Sequence, residues 1–81
     1  MDVELLRYLS GEEVQVGDRV QHAGTYATVV VVSDGETYQT AAGYEDYAGV
    51  ERGLTICDDD GSLLTIDDSD ERLVFVERSA A

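Results

Sequence analysis

VQVGDRVQHAGTYATVVVVS, residues 14–33, decides the fold class. Val14 and Val16 alternate toward a turn at Gly17-Asp18, and Val20 begins the next extended piece. His22-Ala23-Gly24 turns the chain again, and residues 27–33 form a β-branched run. Four consecutive valines suit a strand buried on both faces or closed into a barrel. Nowhere in the chain does an i, i+3, i+4, i+7 apolar stripe persist for three turns, which argues against long helices.

The flanks read the same way. Upstream, residues 4–9 read as a short first strand ended by Ser10-Gly11. Downstream, Asp34-Gly35 opens a long irregular segment, residues 34–52, with room for a helical turn near Tyr44 to Ala48. Residues 54–57, the Asp60-Gly61 turn and residues 62–66 predict a hairpin, because Asp-Gly supplies the positive φ that a tight turn demands. Asp67 to Asp70 predicts an acidic turn before a last strand at residues 73–77. Five or six short strands in 81 residues predict an all-β fold, a small and partly open antiparallel barrel. Residues 1–77 are expected as one domain and 78–81 as a tail, since a chain of this length supports a single core.

Residues 14–32 resemble the opening of Src-homology-3-like small barrels, including the KOW and Tudor-like groups. In these a Gly-Asp turn feeds a first core strand and a small-residue turn precedes a valine-rich second one. Gly17, Asp18, Val20, Gly24, Ala27 and Val29 stand at those positions. Ala27 stands where the KOW pattern has glycine, and basic residues are lacking, so RNA binding is not carried over. The whole chain, from LRYLSGEEVQVGDRV through GLTICDDDGSLL to DERLVFVER, also resembles small acidic bacterial proteins neighbouring Rhs-type polymorphic toxin genes. That resemblance implies an immunity-type role.

Eighteen acidic residues face five arginines and no lysine, a formal net charge of −13. Such a balance argues against direct nucleic-acid binding, which needs clustered Lys and Arg on phosphates. The start, Met1-Asp-Val-Glu, has neither the basic nor the apolar region of a signal peptide. The longest apolar run, residues 29–32, is far short of the roughly 20 residues that span a bilayer. A single Cys57 forms no internal disulfide and fits a reducing cytoplasm.

Enzyme chemistry finds little material. His22, the sole histidine, sits at a predicted turn without a serine or cysteine motif beside it and reads as solvated or structural. Cys57 lies between apolar strand residues and reads as a buried inert thiol. A calcium loop needs Asp at position 1, oxygens at 3 and 5, glycine at 6 and an acid at 12. With Gly61 at position 6, position 1 falls on Ile56; starting at Asp67 puts Arg72 where the glycine belongs. Neither frame works. No cofactor or metal site is therefore expected, and no enzyme activity.

Tyrosine carries the stronger signal. Tyr26, Tyr38, Tyr44 and Tyr47, four of the five, fall within 22 residues, and three of them lie in the acidic 34–52 segment. Tyrosine is enriched at interfaces for its apolar body and polar tip. Equally, some of these rings can complete a core short of Phe and Trp. The expected partner-binding residues are Tyr38, Tyr44, Glu45, Asp46, Tyr47 and Glu51, with Asp58, Asp59 and Asp60 assisting electrostatically. The function expected is an acidic interaction module, in its sharpest form an immunity-type inhibitor of a basic partner such as a toxin domain. The alternative is a structural or regulatory small barrel of a larger assembly, monomer or homodimer, whose acidity reflects solubility or salt adaptation.

Overall fold

The chain turns tightly at Ala23-Gly24 because both residues take positive φ, 52° and 85°. That is the twist a two-residue hairpin requires. The turn joins β1 (Arg19–His22) to β2 (Thr25–Ser33), and His22 stands opposite Thr25. The computed structural model describes residues 6–35, 37–44 and 52–78. Its other strands are β3 (Tyr38–Thr40), β4 (Gly53–Asp58), β5 (Leu63–Ile66) and β6 (Leu73–Glu77). All six belong to one antiparallel sheet in the order β5-β4-β2-β1-β6, with β3 paired to β2. Among the described residues there is no helix.

β2 is the organising strand. Along one edge it pairs with β4; along the other it pairs first with β1 and then with β3. Val29 faces Ile56 and Val31 faces Thr55, so Val30 is an extra residue, and this bulge shifts the inward alternation by one. Val29 therefore enters the core cluster, Val30 and Val31 are buried outside it, and Val32 packs against its margin. This is how four successive valines share one strand.

The core joins Leu6, Tyr8, Val14, Val20, Ala27, Val29, Leu54, Ile56 and Leu73. Ile66 from β5 and Phe75 from β6 pack against it. Both outer strands of the sheet thus serve one core, and the sheet curls around it. Among the described residues no ladder joins β5 to β6, so the sheet is barrel-like without a shown closure. Tyr8 supplies the aromatic volume, its ring centroid 5.0 Å from that of Phe75.

Two expectations are corrected. Residues 6–9 form no strand: Leu6 and Tyr8 point into the core as their alternation predicts, but Arg7 meets Glu13 in an isolated bridge only. The chain reverses at once, Gly11 N–H donating to the Tyr8 carbonyl and Tyr8 N–H to that of Glu12, which leaves no room for a ladder. Second, the 34–52 segment is not irregular throughout, because β3 pairs with Val31–Ser33. The side chains of Tyr38 and Gln39 are exposed, so no apolar alternation marked the strand. The helical turn expected near Tyr44 to Ala48 falls mostly outside the described residues. The 54–66 hairpin and β6 stand as expected.

Candidate functional site

The electrostatics begin with the arginines. Arg19 pairs with Asp59 at 3.0 Å and lies over the Tyr26 ring. Arg52 grips Asp68 with two parallel bonds of 2.8 and 2.9 Å. Arg72 holds Asp70, and Arg78 reaches the buried Asp18 at 3.0 Å. Arg7 donates to the Gly11 carbonyl. Four of the five cations are thus bound to carboxylates of their own fold, while the formal charge stays at −13. One of these pairs shifts its carboxylate clearly: Asp70 lies well below the usual range, held chiefly by Arg72 and then by His22.

The expected partner-binding residues fall in separate places. Tyr38, 54% exposed, stands beside Glu13 and Asp34 over a shallow groove floored by Leu6, Val14 and Val32. Asp34 also shapes the β2–β3 turn, accepting from the Thr37 N–H at 2.8 Å. Tyr44 is half-buried, its hydroxyl 3.8 Å from Cys57 Sγ. Cys57 itself is a free, half-buried thiol, more open than its apolar neighbours predicted.

Asp58, Asp59 and Asp60 cap the β4–β5 hairpin. Asp58 and Asp60 both accept the Ser62 N–H, and Asp59 is taken by Arg19. The side-chain bond between Asp58 and Asp60 raises the Asp58 carboxyl and lowers that of Asp60. Glu45, Asp46, Tyr47 and Glu51 lie outside the described residues.

β2 sets the distance between these groups. Ser33 pairs with Tyr38 and Ala27 with Asp58. The six residue steps from Ala27 to Ser33 separate the two ends by roughly 20 Å, at about 3.3 Å per residue. Tyr38 and the aspartate tip are therefore two sites.

Sequence reasoning missed a cavity at the aspartate end. It measures about 190 Å³ and lies between the Ala23-Gly24 turn and the β4–β5 hairpin, walled by His22, Ala27, Ile56, Asp58, Ser62 and Leu64. The available signal was the alternation Leu54, Ile56, Asp58, which turns Asp58 to the inner face. His22 is buried beside it with Nε2 3.0 Å from Asp70, the structural role its sequence context allowed. Among the described residues no three His, Cys, Asp or Glu side chains are grouped to hold a metal ion. No helix there is long and apolar enough to cross a membrane.

No family model matches the chain, and comparisons with curated proteins and with solved structures return no match.

Proposed function

We propose that the chain is an acidic protein–protein interaction module, an immunity-type inhibitor that captures a basic partner such as a toxin domain. The observation that carries this reading is the internal commitment of the arginines. With its cations engaged by the fold, the chain turns a net negative field outward. Such a field attracts and orients a cationic surface and raises its association rate. Tyr38 on β3 and Asp59 and Asp60 at the β4–β5 turn are exposed, with Asp58 half-buried beside them. Tyr44, Glu45, Asp46, Tyr47 and Glu51 complete the proposed contact set.

A second reading has its own support. Val74 and Val76 on β6 are 52% and 42% exposed, with Tyr26 open on the same sheet. An apolar outer strand of this kind suits a structural subunit of a larger assembly.

Capture from the source cell at low ionic strength, eluted with a rising salt gradient, tests the inhibitor reading. The expected product is one stoichiometric basic protein whose activity the chain suppresses. Recovery of only acidic or neutral subunits would replace it with the structural one.

A further inference from the structure

The cavity beside Asp58 has a size that narrows what can enter it. Drug-sized and nucleotide-sized ligands occupy roughly 300–1,000 Å³, whereas an apolar cavity of about 150 Å³ takes a ring the size of benzene. At about 190 Å³ the space suits one long side chain. Its apolar wall is Ala27 and Ile56, both buried, and the half-open Leu64; its acidic group is Asp58. The cations and the histidine nearest to it are engaged elsewhere, Arg19 by Asp59 and both Arg72 and His22 by Asp70.

We propose that this cavity receives one arginine side chain of the basic partner, its methylenes on Ala27, Ile56 and Leu64 and its guanidinium against the Asp58 carboxylate. The proposal rests on the reading of the chain as a binder of basic proteins and names the residue type that this end takes. Arginine fits better than lysine because its planar guanidinium sheds water more readily and offers several donors to one carboxylate. A cation here also relieves the crowding of Asp58 and Asp60, whose carboxyls share the Ser62 N–H. The free cavity is thus prepared for positive charge.

The test is a methyl-detected NMR titration of the full chain with N-acetyl-arginine amide. Shifts should concentrate on the Ala27, Ile56 and Leu64 methyls and saturate. Asp58→Asn should weaken binding about tenfold, the scale of a hydrogen bond to a charged group. That variant keeps an oxygen to accept the Ser62 N–H, so the hairpin is retained. Glu13→Gln removes the same charge beside Tyr38 and should leave binding unchanged. Leu64→Trp, at a half-exposed position, should cover the cavity and abolish binding while the chain stays folded.

Shifts scattered over the acidic surface and indifferent to Asp58→Asn would overturn the proposal, as would equal affinity for N-acetyl-lysine amide. The two readings fail separately. A basic partner captured at full strength by the Asp58→Asn protein removes the cavity from the interface and leaves the interaction module standing. Saturable arginine binding with no basic partner captured does the reverse.

Discussion

The carboxylate of Asp18, fully buried, lies 3.0 Å from Nε of Arg78, sixty residues further along the chain. The same carboxylate accepts the Tyr8 hydroxyl at 2.7 Å and the Gln15 N–H at 3.0 Å. One side chain thus fastens the N-terminal arm, the turn before β1 and the residue that follows β6. Sequence placed Arg78 in a tail, yet its guanidinium also donates to the Glu13 carbonyl.

Replacing Asp18 with alanine should destabilise the fold by about 3 kcal/mol, because it strands a buried hydroxyl and a backbone N–H as well as removing the ion pair. Urea unfolding measures this. Arg78→Ala should also lower the midpoint, since it leaves a buried carboxylate without its cation. Adding Asp18→Asn to that variant should recover part of the loss, as removing both charges is less costly than removing one.

Tyr8 gives the alkaline limb. Burial, and then the bond to Asp18, push its phenol above the ordinary value. A raised folded pKa favours the protonated form, so this contribution is fully present below the unfolded value near pH 10. It is lost as pH rises from there toward the folded value. The stability gap between the native chain and Tyr8→Phe should therefore narrow above about pH 10.

Asp70 gives the acid limb with the opposite sign. Its depressed pKa contributes stability above the unfolded value of about 4, lost as pH falls through the folded value. The melting temperature of the native chain should exceed that of Asp70→Asn at neutral pH, and the margin should close as pH falls below about 4. A margin that persists to the lowest pH would assign Asp70 no ionic role.

Two backbone positions make opposite predictions. Ala23 carries a side chain at φ 52°, where asparagine is better tolerated, so Ala23→Asn should stabilise by roughly 0.5–1 kcal/mol. Gly53 has the reverse problem. A Cβ there would meet the Ile66 carbonyl oxygen at 2.9 Å, and Gly53→Ala should lower the melting temperature by forcing β4 and β5 apart. Thermal unfolding of both variants checks the pair.

The residues that announced the fold were those whose partners lie close in sequence. Asp60-Gly61 marked its hairpin because a local φ decides it, Gly61 taking +94°. The valines of β2 marked a buried strand because burial is written in their side chains. Tyr38–Thr40 gave no such mark, since both Tyr38 and Gln39 face out and the strand depends on the backbone of β2. Asp18 read only as a turn residue, the partners of its buried carboxylate being ten and sixty positions away. For the candidate site, nearness along the chain suggested one patch. The length of β2 divides it, and the inner wall that Asp58 shares with Ala27 arises only from strand register.

The most direct test of the central claim is the association rate constant between this chain and its captured partner, measured across ionic strength. An inhibitor that works through its uncompensated acidic field predicts association that slows steeply as salt is added, with dissociation little changed. Association indifferent to salt, or no basic partner at all while the melting temperature climbs steeply with salt, would contradict it and leave the charge as an adaptation to the medium.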